Sequence, residues 1–199
     1  MSQHKRAWQR MLSGRRLDLI DPSPVDIEAE DIAHGLSRVA RWNGQTSGDH
    51  IYSVAQHSLL VLELALKARP ELSNTHQRAI LLHDASEYVI GDMISPFKTV
   101  MGGNYKEIEA RLQAAVHIHF NIPVDLPKTF LSFMKKCDKA AAFLEATQLA
   151  GFSHSEATKF FGTLELFTGE GKGEAPFLIP LTINEAKALF LAKLKTLEA

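Results

Sequence analysis

Two imidazoles and three carboxylates are the side chains best placed in this sequence to do chemistry together. His83 and Asp84 are adjacent, Glu87 follows one helical turn later, His57 lies upstream, and Asp138 lies well downstream. With nine histidines in 199 residues, a His-Asp pair arises readily by chance, so the pair gains weight only from its surroundings. Those surroundings are helical, and His57, the His83-Asp84 pair and Asp138 come from three separate helical segments. Imidazole nitrogen with carboxylate oxygen suits divalent manganese, iron, cobalt, nickel or zinc. Coordination positions left open would take water or a phosphate oxygen. His57, His83, Asp84 and Asp138 are therefore candidate ligands of a Lewis-acid site.

The elements that must position these residues follow from apolar spacing. Helical periodicity dominates, and stretches of alternating β-branched residues are missing, so an all-α fold is expected. A first helix is read over 27–41, with Ile32, Leu36 and Val39 on one face and Asp26 as N-cap. Gly44 and Gly48 open a loop. Ser53 caps a second helix whose inward face carries Val54, His57, Leu60, Val61 and Leu64, ending before Pro70. Asn74 or Thr75 caps a third, running through Ala79, Leu82 and His83, so that the His83-Asp84 pair sits near a helix end; the chain continues to Tyr88 and breaks at Gly91 and Pro96. Further helices are expected over 105–120, over 129–150 with Phe130, Phe133, Met134, Cys137, Ala141 and Leu144 inward, and over 184–197. Gly169 to Gly173 reads as a loop.

Composition limits the partners. One domain is expected over 27–199, preceded by an N-terminal arm over 1–26 in which Trp8, Leu12, Leu17, Leu19 and Ile20 interleave the charges of Lys5, Arg6, Arg10, Arg15 and Arg16. That mixture points to a packed arm or an oligomer contact. A net charge of −1 argues against a global basic field, so no stable nucleic-acid partner is expected, while a small anionic ligand stays open. Cys137 is the only cysteine, which excludes an intrachain disulfide and suits a reducing, cytoplasmic setting; it reads as a small buried hydrophobe. No stretch has the length or apolarity of a membrane span or signal peptide. His117 and His119 stand two apart on a helix and point to different faces, which does not make a joint metal site.

The runs Ser53-Val54-Ala55-Gln56-His57-Ser58, Leu82-His83-Asp84-Ala85-Ser86-Glu87 and Lys135-Lys136-Cys137-Asp138 resemble the pattern of the HD-domain phosphohydrolase superfamily, over roughly residues 27–150. Within it, the continuation Gly91-Asp92-Met93-Ile94-Ser95-Pro96-Phe97-Lys98 is similar to the small 5'-deoxynucleotidases and to phage dATP triphosphohydrolases. The resemblance implies a helical HD bundle in which His57, His83, Asp84 and Asp138 bind a divalent metal, with Mg²⁺ at a second, substrate-dependent position as a further option. It implies that Glu87 is a general acid or base, working with Asp84. It further implies a phosphate contact for Arg41, sugar or base packing for Trp42, a second phosphate contact for Lys98, a weaker one for Lys135, and a sugar 3'-hydroxyl acceptor in Asp92. The expected reaction is hydrolysis of a deoxyribonucleoside 5'-monophosphate. The alternatives are release of triphosphate from a dNTP, or a non-catalytic nucleotide-sensing or metal-stabilised helical protein. A homo-oligomer is expected.

Overall fold

In the computed structural model, which describes residues 7–93, 103–164, 167 and 174–198, apolar residues at helical spacing do become the buried stripes of a helical fold. The expected second helix is α2 (Val54–Ala68), capped by Ser53, whose side chain accepts from the Gln56 N–H. It lies at the centre, packed on α6 (Lys128–Gln148), α3 (Asn74–Leu81) and α8 (Ile183–Glu198). Leu64, Ala141, Ile80 and Phe190 are fully buried where these helices meet. At about 1.5–3 kcal/mol for each large side chain removed from water, this seam is what holds the helices in place. No helix among the described residues is long and apolar enough to cross a membrane.

Three boundaries differ from the sequence expectation. The first helix, α1, runs only over Ala29–Leu36, and its N-cap is Glu28, without a side-chain cap bond, rather than Asp26. The chain then straightens because Ala40 bridges Ser53, with Arg41 N–H donating to Tyr52 O and Val54 N–H to Val39 O. Arg41 accordingly lies in a short 3-10 turn, Arg41–Gly44, and not on a helix. The third helix is capped by Ser73 and ends at Leu81; residues 82–86 form turns leading into the one-turn helix α4 (Glu87–Ile90). α5 spans Gly103–His119.

Two elements were not expected. In the arm, β1 (Trp8–Arg10) and β2 (Arg16–Asp18) form an antiparallel hairpin pairing Gln9 with Leu17. Leu17 is fully buried, whereas Leu12 is 68 % exposed, and Ser13 fastens the turn by donating from its N–H and Oγ–H to the buried Asp31 of α1 at 2.9 and 2.6 Å. After α6, a capping box of Ser153 and Glu156 starts α7 (His154–Phe161). The Gly169–Gly173 stretch, Pro96, Lys98, and Lys5 and Arg6 of the arm lie outside the described residues.

One crossing bears on the site. At Gly35 of α1, a Cβ would come within 2.7 Å of both the Tyr88 Cβ and the Tyr88 carbonyl oxygen, so only glycine lets α1 approach α4 this closely.

Candidate metal centre and substrate cavity

His57 is fully buried on the inner face of α2, and its Nδ1–H donates to Glu145 Oε1 at 2.5 Å. That bond fixes the tautomer and turns Nε2 toward Asp138 Oδ1, at 3.3 Å, and Asp84 Oδ2, at 3.6 Å. His83 is oriented the same way by the backbone. Its Nδ1–H donates to Ile80 O at 2.9 Å, leaving Nε2 3.2 Å from Asp84 Oδ2. One ligand atom each from His57, His83 and Asp138 falls within 4.8 Å of the others. Neither buried Nε2 has a hydrogen-bond partner among the described residues. Two imidazole Nε2 atoms without a hydrogen-bond partner, facing two carboxylates, form a donor set that a divalent cation fits.

The electrostatics agree with that fit. Burial pushes Asp84 toward its neutral form, but His83, His57 and Arg41 hold it far below the usual carboxylate range. Asp138 is lowered too, against burial, chiefly by His57. Burial and Arg41 press His57 downward, yet Glu145 and Asp138 outweigh them and hold it up to about 10. The pocket thus concentrates negative charge around a proton that a metal ion would replace.

Glu145 is the residue sequence reasoning missed. Completely buried on α6, it accepts from His57 on one oxygen and, on the other, from Arg41 Nε–H at 3.1 Å and Trp42 Nε1–H at 2.9 Å. Burial raises its carboxyl, and the opposing charges of Arg41 and His57 bring it below the ordinary range. Its spacing offered a signal: Asp138, Ala142 and Glu145 follow at helical intervals along one side of α6.

The Arg41–Gly44 turn presents its first two side chains to the same place. Trp42 and Asn43 both have left-handed backbones, with φ of 56° and 51°, a conformation that asparagine tolerates but that is costly for a bulky residue such as tryptophan. The Trp42 ring packs against Phe152 and Phe161, with centroids 5.5 and 5.8 Å away. Arg41 also reaches Asp92 Oδ2 at 3.3 Å, so the two residues expected to meet substrate separately are paired with each other.

Arg41, Trp42, Asp84, Glu87, Asp92 and Asp138 all line one cavity of about 640 Å³, within the range typical of small-molecule sites. His57 and His83 stand behind its carboxylates. Glu87 is only 3 % exposed. It lies three residues beyond Asp84 across tight turns rather than on a continuous helix, and that spacing still returns it to the same side. Lys135 and Lys139, two of the lysines expected to be available for extra phosphates, are on the wall as well, joined by Phe152, Phe160 and Phe161, which were not expected there. Cys137 is buried, and burial raises its thiol to about 12, which makes it inert packing. His117 and His119 each bond a backbone carbonyl, of Pro123 and Pro24 respectively, away from this cavity.

Residues 32–150 match a family described as 5'-deoxynucleotidase YfbR-like. An uncharacterized protein of Rhodobacter capsulatus is 60 % identical over 158 residues, 79 % of this chain and 81 % of its own length. The uncharacterized protein YfdR of Escherichia coli is 33 % identical over 98 residues, 49 % of each chain.

Proposed function

Because the chain belongs to the YfbR-like 5'-deoxynucleotidase family, we propose that it hydrolyses deoxyribonucleoside 5'-monophosphates to deoxynucleoside and inorganic phosphate. The observation that carries this reading is that His57, His83 and Asp138 cluster, with Asp84 beside both imidazoles, next to a cavity that Asp84, Asp138, Arg41, Asp92 and the buried Glu87 line. A divalent cation held by those four residues would neutralise phosphoryl oxygens and acidify a water at neutral pH.

The chain's own groups supply the rest. Arg41, anchored by Glu145 and Asp92, directs fixed positive charge at the phosphate. Asp92 accepts from the sugar 3'-hydroxyl. Glu87 takes a proton from the attacking water as its oxygen bonds to phosphorus, and returns one to the 5'-oxygen as that P–O bond breaks. The reaction consumes one water and needs no covalent enzyme intermediate. Trp42 closes the side of the sugar, and Lys98 is assigned a second phosphate contact on the family likeness.

One observation favours a second reading. Lys135 and Lys139 also line the cavity, and two further cations would serve the extra phosphates of a dNTP. Purified protein supplied with Mn²⁺ or Co²⁺ and a panel of dNMPs and dNTPs, with chromatography of products, separates the two. Phosphate and deoxynucleoside from dNMPs, abolished by chelator, are expected. Triphosphate release with dNMPs inert would replace the first reading by the second.

A further inference from the structure

The cavity wall is of two chemical kinds. Asp84, Asp138, Glu87 and Arg41 make it ionic; Trp42, Phe152, Phe160 and Phe161 make it aromatic. The three phenylalanines all lie beyond the segment that matches the family, which ends at residue 150, whereas Trp42 lies within it.

Among them Phe160 stands apart. Ala157 is buried and Phe161 half-buried, anchoring α7 against Trp42, yet Phe160, on the same helix, is 59 % exposed while lining the cavity. Core packing does not account for a large aromatic left that open. Neither neighbouring ring lies flat upon it: Phe152 stands at 86° with centroids 6.4 Å apart, and Phe161 at 59° and 6.3 Å. The Lys159 amine, 5.8 Å from the ring centroid, is a flexible exposed neighbour that a flat ligand can displace. An exposed ring on which neither neighbouring phenylalanine lies flat, on the wall of a cavity that Arg41 also lines, suits a ligand with a phosphate and a flat π-system.

We propose that Phe160 is the stacking platform for the nucleobase, making α7 the element that holds the base while residues within the family-matched segment hold phosphate and sugar. This rests on the nucleotide reading above. Base–aromatic stacking is sequence-tolerant because every base presents a π-face. Phe160 therefore adds affinity for a base as such, rather than choice among bases.

The test compares a dNMP with 2-deoxyribose 5-phosphate, which shares the phosphate and sugar but lacks the base. In Phe160→Ala, the ratio of kcat/KM for the dNMP to that for the base-free compound is expected to fall on the order of 10-fold, the size of one lost stack. Phe160→Leu should lose the ratio in the same way, and Phe160→Tyr should keep it. An unchanged ratio in Phe160→Ala would overturn the proposal, as would a leucine variant that behaves like tyrosine, since apolar cover would then suffice. Calorimetric binding of the same two compounds to the same variants reads the platform independently of turnover. A chain that hydrolyses neither compound defeats the hydrolytic reading, and a binding ratio insensitive to Phe160 defeats the platform.

Discussion

Glu145→Gln is the substitution that most directly probes how the metal centre is held. The carboxylate faces an N–H on each side, His57 Nδ1–H on Oε1 and the Arg41 and Trp42 N–H groups on Oε2. A glutamine amide has one oxygen, so whichever way it turns its NH₂ opposes an N–H donor. At about 1.5–3 kcal/mol for each hydrogen bond to a charged group, plus loss of the buried ion pair, the variant should be destabilised by about 3 kcal/mol. For a chain of this size that lowers Tm by about 6–12 °C. The His57 ring also loses its charged orienting partner, so metal affinity should fall about 10–100-fold. Denaturation in chelator isolates the first effect, and competition of Mn²⁺ against a chelating dye measures the second. A variant within about 0.5 kcal/mol of the parent and with unaltered metal affinity would refute the role given to Glu145.

Glu87→Gln should retain the cation by elemental analysis while single-turnover hydrolysis slows by about 10²–10⁴-fold; a wild-type rate would remove Glu87 from proton transfer. Gly35→Ala forces α1 and α4 apart because the atoms it meets include the Tyr88 backbone. A cost of about 1–3 kcal/mol is expected in urea melts, with kcat reduced through displacement of the adjacent Glu87 and metal content retained. Ser153→Ala removes the capping box of α7. The Glu156 carboxyl is held below its usual 4.5 by the Ser153 hydroxyl and N–H, so its contribution is present above pH 4.5 and lost as pH falls through the lowered value. The Tm gap between Ser153→Ala and the parent should therefore narrow from pH 7 to pH 3, and a constant gap would contradict that linkage.

What could be read in the sequence was local. Ser53 before an apolar stripe announces α2 and places His57 inward, and the register of Asp138 beside Cys137 and Ala141 places it at the border of the α6 core face. What could not be read depends on distant partners. The first helix stops because Ala40 pairs with Ser53, and Arg41 meets Asp92 from 51 residues away. The hairpin strands are three residues each, too short to show alternation. Glu145 shares a side of its helix with Asp138, but a glutamate among alanines reads as surface until Arg41 and His57 are known to face it. The capping signature Ser153-x-x-Glu156 ahead of Ala157, Phe160 and Phe161 was a local cue for α7 in plain view.

The two successive left-handed residues, Trp42 and Asn43, also bear on how this chain would respond to selection for heat resistance. The left-handed backbone costs Trp42 about 1–2 kcal/mol and Asn43, a residue type that tolerates it, less, and the Trp42 ring, seated on Phe152 and bonded to Glu145, offsets that cost only while the cavity wall stands. Replacing Asn43 by glycine relieves its backbone strain at the expense of a looser loop. Replacing Trp42 relieves more and gives up a wall of the cavity. Thermostabilising mutations gathered in the Arg41–Gly44 turn should thus come at a cost to catalysis, whereas those gathered in the α2–α6–α8 seam should not.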